Sequence, residues 1–357
     1  MKLPLGSNYK EMNVRNIILY MIAVCCMAAG VSSCVLSEKA DPLVEDRTIW
    51  YNPAPVKTLP QTKAVEAFPT SSSFGSYAYM VPEGKTYDAN KADADVVTFI
   101  DNEKITYQTD RWKGTSTYYW PLTGSLTFIS YAPYELSQRT DFTFGCNKSV
   151  GISITGFSLP TTIGYTDSKD DILTTDFVKD LTGNAAYYAS GVPTVFKHRL
   201  CKVAVKASVN NELGSGEYVR INSVSLQNIY TRGNYSSVGG WTSQSTLTTY
   251  PTVTLNKDLS MTPDVVFAET LMIPQTTTLS DRGPGNDPKL VVNYTVNENT
   301  KSAELKLYSG PSTLSAWEEG KIVTYYISIS TKDEYIEFSG SLDAWKKAED
   351  GDINMGL

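Results

Sequence analysis

Three cysteines near the start of the chain are the first residues whose type and spacing could do chemistry. Cys25, Cys26 and Cys34 lie within "AVCCMAAGVSSC", where the other side chains are small or apolar. Cysteines can pair in disulfides, bind zinc or be modified covalently. The C-x₂-C spacing of many zinc sites is absent from this stretch. The surrounding sequence must therefore decide between a bridge and a modification.

The order of the residues around Cys34 is that of an export signal. Two basic residues precede an apolar run, 17–29, that is short for a membrane-spanning helix. The run leads into Val-Ser-Ser-Cys, which resembles the lipobox of bacterial lipoproteins. We therefore predict a signal peptide at 1–33, with Met12 as an alternative start, and lipidation of Cys34 by acyl chains such as palmitate. An ordinary secreted protein is the alternative.

Few other residues have the types needed for catalysis or metal binding. Cys146 and Cys201 remain after such a signal is removed, and we expect free thiols because they fall in different predicted domains. His198 has neither a second histidine nor a nucleophile motif beside it, so we expect a structural, hydrogen-bonded histidine. The pair Asp170-Asp171 is expected in a solvated loop. We predict no enzyme, no catalytic residue, no metal and no cofactor.

The composition narrows the class of partner. The formal net charge is -7, charged residues make up 19% of the chain, and the longest basic run is a Lys-Lys pair. A nucleic-acid partner is therefore not expected. The 23 tyrosines and the many Ser, Thr and Asn residues favour strands and turns.

The elements that must position these side chains have the pattern of strands. Apolar residues alternate with polar ones in four separate runs, and no long stretch has helical periodicity. The alternating runs are 201–209, 290–296, 323–329 and 336–342. Clusters of Gly, Pro, Asn and Ser separate them, and the stretches 236–251 and 279–290 are predicted to be irregular loops. The predicted fold class is all-β.

Several motifs together resemble one protein family. These are "YYWPLTGSLTFISYAP" (118–133), "DDILTTD" (170–176), "FKHRLCKVAVKASV" (196–209) and "WEEGKIVTYYISIS" with "IEFSGSLDAW" (317–345). In this order, behind a lipobox, they resemble the fimbrillin-like family of Bacteroidales-type lipoproteins. The resemblance implies two tandem transthyretin-like Greek-key β-sandwich domains. We place these at 64–194 and 195–357, after a lipidated segment at 34–63.

The resemblance also implies a processing bond in the segment after the lipid. In the family, a basic residue followed by a small one marks where a surface trypsin-like protease removes the first strand. Lys63-Ala64, in "QTKAVEAF", occupies that place, with Lys where the family pattern has Arg. Arg47-Thr48 is the second choice. We predict removal of 34–63 on maturation.

Two functional classes follow from these features. The first is a stalk, tip or anchor subunit of cell-surface fimbriae that serves adhesion and biofilm. Such a subunit would be an outer-membrane lipoprotein, surface-exposed, that joins other fimbrial subunits by protease-triggered donor-strand exchange. The alternative is a non-polymerising surface lipoprotein that binds glycans. The strand-like stretch "RTIWYNPAPVKTLP" (47–60) before a basic bond favours the polymer subunit, because a glycan binder does not need it.

Overall fold

The computed structural model describes residues 47–55, 68–278, 282–309, 314–332 and 336–345. They form strands joined by turns, with two short α-helices, α1 (Tyr87–Asn90) and α2 (Ala185–Ser190), and three 3₁₀ helices at Tyr134–Gln138, Ser168–Asp170 and Leu307–Ser309. All these elements lie in one compact unit, Ile49–Leu357. The prediction of an all-β fold is confirmed.

The strands of the described residues are numbered in chain order. The first eleven are β1 (Tyr51–Pro55), β2 (Ser73–Val81), β3 (Val97–Gln108), β4 (Arg111–Gly114), β5 (Ser125–Ala132), β6 (Thr143–Asn147), β7 (Gly151–Ser158), β8 (Leu173–Thr174), β9 (Val178–Leu181), β10 (Val192–His198) and β11 (Cys201–Val209). The others are β12 (Val219–Gln227), β13 (Ile229–Ser236), β14 (Gly240–Thr248), β15 (Val253–Asp258), β16 (Asp264–Met272), β17 (Gln275–Thr276), β18 (Lys289–Val296), β19 (Asn299–Lys306), β20 (Ala316–Trp317), β21 (Lys321–Ile329) and β22 (Ile336–Ala344).

The first sheet closes on itself. Its strand order is β2-β3-β4-β1-β10-β8-β5-β9, and β2 also pairs with β5. Every residue of β5 is buried, including the apolar residues Leu126, Phe128, Ile129 and Tyr131. Each strand of the ring, which β2 and β5 close, therefore has neighbours on both sides, whereas β9 lies outside the ring and pairs with β5. The strand β5 packs against side chains on both of its faces.

Two four-stranded sheets enclose the core of the later part of the chain. Their orders are β16-β11-β21-β22 and β15-β12-β18-β19, and both sheets contribute side chains to the same apolar cluster. The alternation predicted for 201–209, 290–296 and 323–329 is confirmed, because the apolar residues of each run are buried. The apolar residues of β22 are half-buried against the same cluster.

A further sheet, of order β14-β13-β7-β6, joins strands that are far apart in the chain. The strand β14 occupies a stretch that was predicted to be an irregular loop, so that prediction was wrong. Its side chains are exposed or half-buried along the whole strand. A strand without a buried face lacks the apolar alternation by which strands are recognised in a sequence.

The boundary predicted between residues 194 and 195 falls inside β10. The sheet of β6, β7, β13 and β14 contains strands from both sides of that boundary. The division into two domains and their transthyretin-like Greek-key order stay predictions. Among the residues that the structure describes, no helix has the length and apolar character needed to cross a bilayer.

Candidate functional site

Most residues predicted for lipidation and processing lie outside the described part of the chain. This applies to Cys34, Lys63 and Ala64, for which the modification and the cut stay predictions. Arg47 and Thr48, at the second predicted bond, are described and partly exposed. Among the described residues, the strand β1 lies between the two bonds. A cut after Lys63 would separate β1 from the following chain, whereas a cut after Arg47 would leave it attached.

The strand β1 occupies a place between β4 and β10 in the first sheet. It runs parallel to β10, in a register that begins with Tyr51 opposite Val192. It runs antiparallel to β4, where Tyr51 opposite Trp112 is the pair formed by the described residues. Pro53 and Pro55 have no backbone N–H, which limits the hydrogen bonds that β1 can donate. The strand is therefore paired with β10 along its whole length and with β4 at one described position.

Backbone and side-chain hydrogen bonds hold the residues that enter β1. The Val192 N–H donates to the Trp50 carbonyl at 2.8 Å, and the Ile49 N–H donates to the Tyr118 carbonyl at 2.8 Å. The indole N–H of Trp50 donates to the Tyr188 carbonyl at 2.9 Å. The residues that lead into β1 are thus hydrogen-bonded to the segment 188–192 and to Tyr118.

A glycine makes room for this arrangement. Gly191 follows α2 with a φ of +71°, a backbone conformation that favours glycine. A Cβ atom there would lie 2.7 Å from the Trp50 ring. Gly191 therefore allows both the turn into β10 and the close approach of Trp50.

Buried and exposed side chains alternate from Ile49 into β1. Ile49 and Tyr51 are 5% and 2% exposed, whereas Asn52 is exposed. The Tyr51 ring makes edge-to-face contacts with Phe74 and Phe128, at centroid distances of 5.6 and 6.0 Å. The inward face of β1 is therefore part of the apolar core of the first sheet.

More aromatic rings surround this position. Phe68 packs against Phe74, Trp112 and Phe196, with centroid distances of 5.0 to 5.8 Å. Burial raises the pKa of the Tyr51 hydroxyl far above its ordinary value. That hydroxyl has no hydrogen-bond partner of normal geometry among the described residues. The site is thus shaped for an aromatic ring and offers little to a polar group.

These contacts define what the arrangement could do. Without β1, the facing edges of β4 and β10 would carry unpaired backbone groups, and the rings of Phe74 and Phe128 would lose their cover. An unpaired strand edge beside an open apolar core is a template for another extended chain. The β1 site is therefore the candidate functional site.

The acidic pair expected in a solvated loop has a different environment. Asp170 is 3% exposed and pairs with Arg139, and its carboxylate also accepts a hydrogen bond from the Tyr165 hydroxyl. The solvated-loop prediction was wrong for Asp170, because this side chain is buried. A buried carboxylate needs partners such as these to offset the loss of its hydration. Burial and this hydrogen bond raise the pKa of Tyr165.

His198 is a structural histidine, as predicted from the sequence. Its Nδ1 lies 3.0 Å from the Asp171 carboxylate, and its ring stacks on Trp345 at a centroid distance of 3.8 Å. Lys202 Nζ lies 4.6 Å from the centre of the same indole ring. Trp345 therefore packs between these two side chains, and Trp317 is a core residue at 1% exposed.

Next to His198, a buried arginine joins distant segments. The Arg199 guanidinium lies 3.0 Å from Glu319 and 3.3 Å from Asp176, and it donates to the Thr174 hydroxyl at 2.7 Å. Burial raises the pKa of Glu319 although Arg199 acts in the opposite direction. This group joins the segments around β8 and β21.

The two later cysteines are free thiols. Cys201 is fully buried and donates to the Met272 carbonyl at 3.3 Å, and Cys146 Sγ lies 3.4 Å from the Tyr79 hydroxyl. Burial raises the pKa of Cys146 to about 12 and that of Cys201 further. Within the described ranges, no three His, Cys, Asp or Glu side chains are grouped as metal ligands.

Comparison with known proteins identifies the family. The model of the fimbrillin-like family matches residues 62–345. The chain belongs to the fimbrillin-like family. A curated relative, the fimbrium subunit Fim1C of Phocaeicola vulgatus, is 23% identical over 392 residues, which cover 96% of this chain and all of the relative.

A solved structure of a fimbrial protein supports the fold. A crystal structure of a fimbrial protein from Bacteroides vulgatus aligns with 84% of this chain and all of its own, with a TM-score of 0.56 and 19% identity. The tip fimbrial protein Mfa3 of Porphyromonas gingivalis, truncated at its C-terminus, aligns with 77% of this chain and 94% of its own, with a TM-score of 0.42 and 12% identity.

Sequence reasoning found β1 but missed its two neighbours. The alternation of Val192, Thr194 and Phe196 marks β10 as a strand, although Pro193 weakens that signal. The short strand around Trp112 follows a turn at 109–110. Neither signal indicates that these strands flank β1, because the register of distant strands leaves no local mark in a sequence.

Proposed function

We propose that this chain is a structural subunit of cell-surface fimbriae, as a stalk, tip or anchor component, and that it serves adhesion and biofilm formation. The observation that carries the proposal is the position of β1 between β4 and β10, upstream of the predicted processing bond. Membership of the fimbrillin-like family and the likeness to a fimbrium subunit support it.

In this proposal the chain reaches the surface as a lipoprotein. The acyl chains on Cys34 anchor it in the outer membrane, and a surface trypsin-like protease cuts after Lys63. The cut after Lys63 is favoured over the cut after Arg47 because only the former releases β1. The mature subunit then joins other subunits in the fimbrium.

Assembly follows from the burial that β1 provides. Loss of β1 would uncover the apolar rings around Tyr51, at a cost of about 25 cal/mol per Å² of apolar surface. An incoming strand from another subunit would restore the backbone pairing and bury these rings again. Pro53 and Pro55 leave the original strand with fewer hydrogen bonds, which makes it easier to displace.

Antibody labelling of cells that express the chain tests this function. Electron micrographs should show gold label along fibres for a stalk subunit, at fibre ends for a tip subunit, or at fibre bases for an anchor. Cells with the gene disrupted are the control. Label confined to the membrane, with unchanged fibres in the disrupted cells, would contradict the fimbrial role and favour the glycan-binding alternative.

A further inference from the structure

We propose that the β1 site selects its partner strand by an aromatic ring at the position of Tyr51. The incoming strand runs parallel to β10, and its ring enters the pocket between Phe74 and Phe128. This inference rests on the proposed exchange of β1 for a strand of another subunit. It adds a rule for which strands are accepted.

Position 51 is the point at which β1 is held most completely. Tyr51 is opposite Val192 on one side and opposite Trp112 on the other. Its side chain is 2% exposed, so its whole ring is removed from water. A replacement strand in the same register must therefore place a side chain of matching volume there.

The pocket walls favour a planar ring over an aliphatic side chain. Phe74 and Phe128 each meet the Tyr51 ring at nearly a right angle, with interplanar angles of 82° and 89°. Edge-to-face contacts of this kind use the quadrupole of the ring and add stabilisation beyond the buried area. A leucine or methionine would fill part of the volume without this contribution.

The hydroxyl group contributes less to this contact than the ring does. The side chain that interacts with the buried Tyr51 Oη atom is that of Ser76, at a geometry poorer than that of a normal hydrogen bond. A poorly formed hydrogen bond offsets little of the cost of burying a hydroxyl group. Phenylalanine should therefore be accepted about as well as tyrosine.

The neighbouring position provides a matched control. Asn52 belongs to the same strand, pairs with the same β10, and has an exposed side chain. Changing it alters the strand without altering the pocket. A selective site should thus discriminate at position 51 and tolerate changes at position 52.

Peptide exchange tests the selection directly. A recognition sequence for a site-specific protease replaces residues 60–63 in the full chain, which is then cut so that the β1 fragment stays seated. Fluorescein-labelled peptides of residues 47–57 are added, and their uptake is measured by fluorescence anisotropy. The peptides are the natural one and its Tyr51→Phe, Tyr51→Leu, Tyr51→Ala and Asn52→Ala variants.

The natural, Tyr51→Phe and Asn52→Ala peptides should be taken up at similar concentrations. Tyr51→Ala should bind about a hundredfold or more weakly, as expected for loss of a buried ring, with Tyr51→Leu in between. Equal uptake of all peptides, or no uptake of any, would overturn the proposal. Selective uptake without fibre formation would leave the selection standing and refute the assembly function instead.

Discussion

Tyr51 lies opposite Val192 in the parallel pair of β1 and β10, which are the first and the last strands of the closed sheet in chain order. The strand β1 is therefore joined to the rest of the sheet by side-by-side pairing, and its removal leaves the connections between the other strands intact. This is the geometry expected of a strand that can be exchanged for one from another molecule.

The buried carboxylate of Asp170 should make a large contribution to stability. Replacing it in Asp170→Asn removes the charge that faces Arg139, so we expect a loss of about 3 kcal/mol in the free energy of unfolding. Urea unfolding measures it. Asp167→Asn is the control, because Asp167 pairs with the exposed Lys169 and should change stability by less than about 1 kcal/mol. Equal losses in the two variants would contradict the assigned role.

The pairing of Arg139 with Asp141 should make the stability of the protein depend on pH. The hydrogen bond from Arg139 holds the pKa of Asp141 below its ordinary value of 3.8. Because the folded-state pKa is lowered, the contribution is present above 3.8 and is lost as the pH falls through the folded-state pKa. The melting temperatures of wild type and Asp141→Asn should differ at about pH 6 and converge at about pH 2. A difference that stays constant with pH would be the contrary result.

The two later cysteines should be unreactive in the folded protein. Burial raises the pKa values of Cys146 and Cys201, and the thiolate is the reactive form. In a chain expressed from Ser37 onward, a maleimide reagent at about pH 8 should label neither cysteine until urea is added, and mass spectrometry should then find two labels. Rapid labelling of either cysteine in the native protein would show that its thiol is accessible to solvent, which would contradict the prediction.

Lipid attachment depends on a single thiol in the predicted lipobox. Cys34→Ala should therefore abolish labelling by a radioactive fatty acid and leave unprocessed precursor in the cells. Cys26→Ala is the matched control, because Cys26 lies inside the signal and would be removed with it. Unchanged labelling of Cys34→Ala would refute lipidation at this residue.

Much of the fold could be predicted because half-buried strands repeat with a period of two. The buried faces of β11, β18 and β21 were identified from this alternation, and the exposed strand β14 was missed because it has none. The candidate site was predicted only in part. The stretch that contains β1 was found from its place before a basic bond, whereas its pairing with β10 depends on contacts between distant residues.

The partners of the buried polar side chains could not be predicted from the sequence. Asp170 and Asp171 are adjacent in the chain, yet one faces Arg139 in the interior and the other faces His198. Adjacent acidic residues are usually solvated. The partners of Asp170 and Asp171 lie about 30 residues away in the chain, at Arg139 and His198. Only the folded arrangement shows which carboxylate is buried.

Treatment with trypsin under native conditions, followed by electrophoresis without boiling, tests the central claim most directly. The samples are the chain from Ser37 onward, its Arg47→Ala variant, and a triple variant with Arg47→Ala, Lys57→Ala and Lys63→Ala, because trypsin can also cut after Lys57. Wild type and Arg47→Ala should form a detergent-resistant ladder, because a cut after Lys63 releases β1, whereas the triple variant should remain monomeric. A wild-type chain that is cut after Lys63, loses β1 and stays a monomer at high concentration would contradict the account.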